Sequence, residues 1–351
     1  MKQIHFFLPD YPDWTTGGNK YHTILFEYFK KSIPQVYSFG HHKFTQYVES
    51  NKLLKILFGF QYTYKIPRNS IIITTNTSFL HCFIPVLLNN LYKRHFYFLI
   101  IHHLVCDEKP SYLRKKLEDY FIKKADKVIT VSATTQKRLY DLKLGLNNIE
   151  VFNPGLDVSK IEGNIDRKLH LKSKLLFVGT IEQRKGIIYL IKALNLISGE
   201  YELNIIGEES NSKDYYELIL DTVKQNKLED KVFFRGKVSR EELRNYFINS
   251  SIFVFPSLWE GYGMVIAEAM AYGLPIVATR IKAIEELIND GLTGLLVDTK
   301  NSEQLAEKIN LLLKDKTLAD KLSENAYKKA QSFPSWDDTS EKILKVITKI
   351  M

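Results

Sequence analysis

Two carboxylates flank a glycine-rich turn in the second half of this 351-residue chain. Glu260 precedes the turn at 261–263, and Glu268 follows it within the stretch PSLWEGYGMVIAEAM. Glycines let a backbone approach a ligand closely, and a helix beginning near Gly263 would offer unpaired N–H groups to an anion. A carboxylate such as Glu268 can accept two hydrogen bonds from a vicinal diol, for example that of a ribose. The stretch therefore predicts a site for an anionic ligand that carries a sugar; the alternative is that Glu268 is an ordinary exposed glutamate of a helix.

Two histidines end an apolar run in the first half of the chain. His102 and His103 directly follow FYFLII at 96–101. Open α/β sheets bind ligands at the carboxyl ends of their strands, so this pair is a candidate ligand contact, although a lone histidine there is more often structural. Asp107 and Glu108 follow closely and could orient an acceptor. The remaining histidines give no usable signal; they stand at positions 5, 22, 41, 42, 81, 95 and 170.

The elements that must position these residues are short apolar runs alternating with amphipathic stretches. Continuous apolar strands alternating with helices are typical of a parallel sheet covered on both faces. A polar stretch at 151–174 separates two such series. We therefore predict two doubly wound domains, 1–157 with a returning C-terminal helix at 336–351, and 158–335. The predicted strands are IHFFL (4–8), SIIITT (70–75), FYFLII (96–101), KVITV (127–131), KLLFVG (174–179), ELNIIG (202–207), KVFFRG (231–236), IFVFPS (252–257) and PIVAT (275–279).

The net charge of +9 lies entirely in the first half of the chain. Residues 1–160 carry 22 basic and 12 acidic residues, and 50–106 contain no Asp or Glu. Such asymmetry indicates an anionic partner: nucleic acid, an acidic membrane surface or a phosphorylated substrate. Nucleic acid is disfavoured because no known binding motif accompanies the charge. The basic, apolar stretches at 51–60 and 112–127 have the composition of interfacial helices, or of ordinary solvated surface helices.

The composition excludes several classes of protein. With 45% hydrophobic and 25% charged residues the chain is globular, and no apolar run reaches the roughly 18–20 residues that span a bilayer. Two cysteines, Cys82 and Cys106, exclude a disulfide framework and a four-thiolate zinc site. We expect a cytoplasmic protein, either soluble or peripheral on the inner face of the cytoplasmic membrane.

Together these motifs resemble the family 4 retaining glycosyltransferases of GT-B fold. The spacing Glu260-x7-Glu268 resembles the family signature, and similar segments occur in the family's order along nearly the whole chain. These segments are 15–30, 125–142, 149–157, 175–194, 232–257 and 332–344. The resemblance implies an α/β GT-B fold, in which two Rossmann-like domains with parallel sheets face each other across a cleft. It also implies transfer of a hexosyl group from a nucleoside diphosphate sugar to an acceptor hydroxyl, with retention and without a bound cofactor or metal.

The resemblance also implies roles for individual residues. Lys185 would bind the donor diphosphate, Glu260 the hydroxyls of the donor sugar, and His102 the sugar near its reacting carbon. One departure concerns Thr180, which follows Gly179 where many family members have arginine. Donor binding is implied for Gly17, Gly18, His103, Arg184, Val238, Gly261, Tyr262, Gly263, Met264, Val265 and Glu268, with Glu268 on the ribose and Val238 near the base.

The expected partners are a UDP- or GDP-sugar donor and a saccharide or lipid-linked acceptor, with an anionic membrane surface as a third and no nucleic acid. These partners predict a function in bacterial cell-envelope polysaccharide, lipopolysaccharide or glycolipid biosynthesis. A soluble sugar or sugar-phosphate acceptor is the main alternative. A dinucleotide-dependent oxidoreductase would need GxGxxG in the first turn, which reads LPDYPDWTTGGNK instead. A catalytically inactive binding protein of the same fold is a further alternative.

Overall fold

The chain divides into two compact units. In the computed structural model, unit 1 comprises Met1–Gly155 and Pro334–Met351, and unit 2 comprises Leu156–Phe333. The structure describes residues 2–7, 17–39, 66–76, 86–89, 95–108, 111–157, 173–209 and 213–351. The basic stretch 51–60 and most of the loop that precedes Gly17 lie outside these residues.

Unit 1 is built on a parallel six-stranded sheet. Its strands are β1 (Ile4–Phe7), β2 (Val36–Phe39), β3 (Ile71–Thr75), β4 (Phe96–Ile101), β5 (Lys127–Thr130) and β6 (Glu150–Val151), in the order β2-β1-β3-β4-β5-β6. Its first helices are α1 (Gly17–Ser32), α2 (Val105–Glu108), α3 (Tyr112–Lys123) and α4 (Ala133–Asp141).

Helices cover both faces of this sheet, which explains why its central strands are apolar throughout. On one face Phe6 packs edge-on against Phe26 and Phe29 of α1, with ring centroids 5.5 and 5.4 Å apart. On the other face Leu99 belongs to a buried cluster that includes Phe121 of α3. A strand buried on both sides has no solvent-facing positions, so the alternation typical of a half-exposed strand is lost.

Unit 2 is a second parallel six-stranded sheet. Its strands are β7 (Ser173–Val178), β8 (Tyr201–Ile206), β9 (Val232–Gly236), β10 (Ile252–Phe255), β11 (Ile276–Thr279) and β12 (Leu295–Val297), in the order β12-β11-β10-β7-β8-β9. Its helices are α5 (Ile187–Leu194), α6 (Lys213–Gln225), α7 (Arg240–Asn249), α8 (Met264–Ala271), α9 (Lys282–Leu287), α10 (Ser302–Lys314) and α11 (Lys316–Ala330). The first strand, β7, pairs with both β8 and β10, so the strand order reverses between β7 and β10.

The last helix, α12 (Trp336–Thr348), belongs to unit 1. It starts with a capping box in which the Ser335 hydroxyl accepts from the backbone N–H of Asp338 and the Asp338 carboxylate accepts from that of Ser335. The ring of Trp336 lies edge-on to Tyr21 of α1, 5.7 Å between centroids. The Thr339 hydroxyl donates to the carbonyl oxygen of Asn153 at 2.9 Å. These contacts fasten the end of the chain onto unit 1.

All nine strands expected from the sequence are present, and the described residues contain three further strands that were not predicted. The additional strands β2, β6 and β12 have four, two and three residues. Such short segments carry too little pattern to be recognised, and all three lie at sheet edges.

Helix α3 buries only part of the apolar surface that the sequence assigns to it. Phe121 is in the core, whereas the side chains of Tyr112 and Leu113 at the start of the helix are 75% and 68% exposed. Among the described helices none is long and apolar enough to cross a membrane.

Candidate active site

Two turns of unit 2 meet at the carboxyl ends of β7 and β10, where the strand order reverses. At Gly186 the backbone is left-handed (φ 64°), and an added Cβ would collide with the carbonyl oxygen of Pro256. The N–H of Leu258 donates to the carbonyl oxygen of Arg184 at 2.7 Å, which ties the turns together. Doubly wound sheets bind ligands at such a switch point. The sequence folds this way locally because only glycine fits at position 186.

The side chains of these turns converge on one carboxylate oxygen. Oε1 of Glu260 accepts from Lys185 Nζ at 2.5 Å, from the Ser257 hydroxyl at 3.0 Å and from Arg184 Nη1 at 3.3 Å. The side chains of Lys185 and Glu260 are 10% and 9% exposed. The second guanidinium nitrogen of Arg184 pairs with Glu182 at 2.5 Å. Three of the predicted site residues, 184, 185 and 260, therefore form one cluster.

The charges of the cluster stabilise one another. Burial by itself raises the pKa of Glu260, but the positive charges of Lys185 and Arg184 hold it below the usual range of a glutamate. Burial lowers the pKa of Lys185, and the carboxylate of Glu260 opposes that shift. The Lys185 ammonium also lies 4.9 Å from the centroid of the Phe255 ring. At neutral pH the cluster is an ionised pair with a second cation beside it.

The turn after β10 leads into the N-terminus of α8. Gly263 precedes the helix with φ 95°, and an added Cβ would lie 2.9 Å from a methyl group of Ile284. Met264 and Val265 open the helix, and Glu268 lies one turn further, partly buried. The Tyr262 side chain is buried, and burial raises the pKa of its hydroxyl. The first N–H groups of α8 therefore lie where the sequence predicts an anion site, which stays a prediction.

The predicted contact to the base, Val238, follows β9. Arg235, within β9, is held in place, because Nε donates to Oδ1 of Asn204 at 2.8 Å and the guanidinium lies 4.7 Å from the centroid of the Phe233 ring. Gly236 ends the strand with φ 64°, and Val238 follows, partly buried. Gly261, in the turn after β10, is also partly buried.

In unit 1 the predicted site residue His102 lies against the first helix. Its Nε2 is 2.8 Å from Nε2 of His22, and the two rings are nearly perpendicular. A Cβ added to Gly18 would lie 3.5 Å from Cδ2 of His102, so the start of α1, Gly17 and Gly18, runs beside the imidazole. Burial, with His22 and His103 nearby, lowers the pKa of His102 well below its usual range. Both imidazoles are therefore neutral at pH 7.

A buried carboxylate holds the loop that carries these histidines. Glu118 of α3 is fully buried; Oε1 accepts from the N–H of Val105 at 2.9 Å and Oε2 from that of Cys106 at 2.9 Å. Nδ2 of Asn76 donates to Glu118 at 2.8 Å and to the carbonyl oxygen of His103 at 2.5 Å. The Glu118 side chain thus fixes the backbone that follows β4.

Asp107, a candidate for orienting an acceptor, is bound to a neighbouring cation. Arg138 of α4 donates to both of its carboxylate oxygens, at 2.7 and 2.9 Å. Glu108 is the last residue of α2. Bidentate pairing holds the Asp107 carboxylate in one orientation.

Sequence reasoning missed three side chains of these clusters. His22 stands one turn after Gly17–Gly18 in the first helix, and that proximity to a glycine loop was the available signal. Ser257 is the last residue of a predicted strand (252–257), and that position at a strand end, next to the kind of place where the histidines were recognised, was the available signal. Glu118 lies in a helix rich in Lys and Arg, where an acidic residue is expected on the surface, so nothing in the sequence indicated its burial.

No group of three or more His, Cys, Asp and Glu side chains in the described parts of the chain has a geometry suited to a metal ion.

Two solved structures share the fold of this chain. A sucrose-phosphate synthase from Thermosynechococcus elongatus superposes with a TM-score of 0.79 at 20% identity, covering 100% of this chain and 99% of that one. Anabaena HepE in complex with UDP and glucose gives a TM-score of 0.78 at 18% identity, covering 99% of this chain and 100% of that one. The predicted GT-B fold is confirmed.

Several curated relatives are named as glycosyltransferases. A D-inositol 3-phosphate glycosyltransferase of Paenarthrobacter aurescens is 30% identical over 207 residues, covering 56% of this chain and 50% of the relative. The capsular polysaccharide biosynthesis glycosyltransferase CapM of Staphylococcus aureus is 28% identical over 212 residues, covering 59% of this chain and 54% of the relative. The chain thus spans about half the length of these relatives. Residues 164–329, which include Lys185 and Glu260, match the family model described as glycosyl transferases group 1.

Proposed function

We propose that the protein is a retaining glycosyltransferase that moves a hexosyl group from a nucleoside diphosphate sugar to an acceptor hydroxyl. The observation that carries this proposal is the convergence of Lys185 and Arg184 on Glu260, at the switch point of unit 2. The group 1 match of residues 164–329 and the glycosyltransferase relatives support it.

The chemistry of transfer suits this cluster. When the bond between the anomeric carbon and the diphosphate oxygen breaks, negative charge grows on the diphosphate. Lys185, Arg184 and the N–H groups at the start of α8 are fixed positive groups that stabilise this charge. Because these groups supply the positive charge, we include metal independence in the proposal; activity should survive chelation by EDTA.

The two carboxylates bind hydroxyls of the donor. Oε1 of Glu260 accepts all three hydrogen bonds described above, while Oε2 has no hydrogen-bond partner in the described part of the chain. Oε2 is therefore the atom that accepts from a hydroxyl of the donor sugar. Glu268, one turn inside α8, accepts from the ribose, and backbone groups of Gly261, Gly263 and Val238 line the donor.

The nucleobase of the donor can be identified from the thermal stability of the protein with different nucleotides. HepE, of the same fold, is described in complex with UDP and glucose, which supports a UDP-sugar over a GDP-sugar. Thermal unfolding with UDP, GDP, ADP and CMP should show stabilisation by one nucleotide, by about 2.7 kcal/mol at a concentration 100 times its Kd. Glu268→Ala should abolish that shift, and Glu307→Ala, an exposed glutamate on α10, should keep it. If no nucleotide stabilises the wild type, the donor site is wrong.

Retention of configuration is tested on the product. With an α-linked donor, the proton coupling at the new anomeric centre should report an α linkage from the first turnover. A β product would contradict a retaining mechanism and leave the transferase assignment standing.

For the acceptor we propose a lipid-linked saccharide at an anionic membrane, in cell-envelope polysaccharide or glycolipid assembly. CapM acts in capsular polysaccharide biosynthesis, which supports this class. The positive charge of unit 1 and the exposed Tyr112 and Leu113 beside Lys115 and Lys116 suit peripheral attachment.

Attachment is measured by cosedimentation with phosphatidylglycerol vesicles. Binding should weaken with salt and with the double change Tyr112→Ser and Leu113→Ser. The matched control changes two exposed leucines of unit 2, Leu218→Ser and Leu220→Ser, and should bind as the wild type does. Binding that is insensitive to salt would contradict the electrostatic part of the proposal.

A soluble sugar-phosphate acceptor is the second candidate. The relative named D-inositol 3-phosphate glycosyltransferase favours it. Transfer to soluble sugar phosphates in the absence of vesicles, at a rate that vesicles do not raise, would select this candidate.

A further inference from the structure

The contact between His22 and His102 constrains both rings. The two Nε2 atoms are 2.8 Å apart, a distance at which one must donate a hydrogen and the other accept it. A neutral imidazole carries its hydrogen on one nitrogen only. One ring must therefore be protonated at Nε2, and the other, whose Nε2 accepts, at Nδ1. The two rings are held as opposite tautomers.

Neighbouring groups keep the pair in place and uncharged. His22 is 4% exposed, and Tyr21 lies edge-on to both imidazoles, with centroids 5.9 Å from His22 and 5.3 Å from His102. The Tyr21 hydroxyl in turn donates to the carbonyl oxygen of Phe152 at 3.1 Å. Burial lowers the pKa of His22 to about 3. A second proton on the pair would place two N–H groups against each other.

This arrangement leaves one ring nitrogen of His102 for a ligand. Its Nε2 is engaged by His22, while Nδ1 has no hydrogen-bond partner in the part of the chain that the structure describes. A histidine free of such a partner could present either nitrogen and either tautomer. With His22 in place, only Nδ1 of His102 is available, and its protonation is tied to the tautomer of His22.

We propose that His22 is a positioning residue for His102: it binds the Nε2 of His102, fixes its tautomer as the opposite of its own, and so leaves Nδ1 to meet a hydroxyl of a substrate. The last step depends on the proposed glycosyltransferase function. The hydrogen bond and the tautomers do not.

The tautomers are measured directly by nitrogen NMR of the full chain labelled with 15N-histidine, at pH 7. Resonances are assigned with His22→Gln and His102→Gln. We expect one ring of the pair to be protonated at Nδ1 only and the other at Nε2 only. In His22→Phe, which keeps a ring of similar shape, His102 should exchange between its tautomers. Two rings in the same tautomer, or an unchanged His102 spectrum in His22→Phe, would overturn the proposal.

The functional consequence is measured in steady-state kinetics. His22→Phe should lower kcat/KM for the nucleotide sugar about tenfold, as expected for one misplaced hydrogen bond, and leave the Kd of the free nucleoside diphosphate unchanged. His22→Gln, whose amide can still bind His102, should recover most of the loss. His5→Phe removes another buried histidine of unit 1 and should have wild-type kinetics.

Two different failures can be told apart. If His22→Phe has wild-type kcat/KM, or if it weakens the free nucleotide equally, the positioning role is refuted. If the wild type neither binds nor turns over any nucleotide sugar, the proposed function fails, and the NMR experiment still decides whether His22 fixes the tautomer of His102.

Discussion

Lys185 and Glu260 are 75 positions apart in the chain, yet Nζ of the lysine lies 2.5 Å from Oε1 of the glutamate. The order of the strands brings them together, because β7 and β10 are neighbours and each residue lies in the turn that follows one of them. The pair is buried and sits beside a helix N-terminus, so its charges are strongly coupled.

Removing both members of this pair should destabilise the protein by less than the two single removals added together. Lys185→Met or Glu260→Gln leaves a buried charge without its partner and should lower the free energy of unfolding by about 3 kcal/mol. The double variant leaves neither charge. Its loss of unfolding free energy should therefore be smaller than the sum of the losses in the two single variants. Urea denaturation of the four proteins measures this coupling.

The exposed pair Lys328–Glu324 provides the control for this cycle. Its atoms are also 2.5 Å apart, but the side chains are 66% and 64% exposed. Solvent screens such pairs, so its coupling should be much smaller. Equal coupling in the two cycles would show that burial does not strengthen the Lys185–Glu260 pair.

Gly186→Ala should disrupt the junction of the two turns. Alanine costs about 1–2 kcal/mol in the left-handed backbone, and at this position its Cβ would also strike the carbonyl of Pro256. Gly199 has φ 87° and open space around it. Gly199→Ala should therefore lose only the free energy of placing alanine in the left-handed backbone, without a collision. We expect nucleotide binding to be lost in the first variant and kept in the second, with a larger fall in Tm for the first. Equal falls in Tm would contradict the predicted collision.

Glu118→Gln should loosen the loop that carries His102. Either orientation of the amide leaves at least one of the three N–H donors facing an NH2 group, at a cost of about 1–3 kcal/mol. The measurement is the reaction of Cys106 with a thiol reagent in a Cys82→Ser background. Burial, with the charge of Glu118 nearby, raises the pKa of the Cys106 thiol to about 12, so the native thiol should be inert.

In Glu118→Gln the thiol should react faster. Asp119→Asn makes the same charge change at the next residue of α3 and should leave Cys106 inert. A Cys106 that is equally inert in both variants would contradict the role of Glu118 as an anchor.

The buried histidines should make unit 1 sensitive to acid. Burial lowers the pKa of His22 to about 3; burial, with the charge of His95, lowers that of His5 to about 4. An unfolded histidine has a pKa near 6.5. Below about pH 6.5 the unfolded chain therefore takes up protons that the folded chain does not, and stability present at neutral pH falls by up to about 1.4 kcal/mol per pH unit for each histidine.

Urea denaturation between pH 7 and 4.5 measures this loss. His5→Phe keeps a ring against Tyr37 and removes one titrating group, so its stability should fall less steeply with acid than that of the wild type. Identical slopes would show that His5 is not held neutral in the folded protein.

The sequence alone determined the elements whose signal is local. Strands such as Phe96–Ile101 are buried on both faces and appear as unbroken apolar runs. Helix α12 begins at a capping box formed by Ser335 and Asp338. The glycine turn before α8 and the spacing of Glu260 and Glu268 were equally visible. Each of these features depends on residues within a few positions of one another.

Tertiary structure alone decided which residues meet. His22 and His102 are 80 positions apart, Glu118 and Asn76 are 42 apart, and Arg184 reaches the carboxylate of Glu260 from a different turn. A pattern within one segment shows which side chains face inward, but the partner they find depends on strand order and on how far each turn extends. Those are properties of the packed sheet, and no single segment contains them.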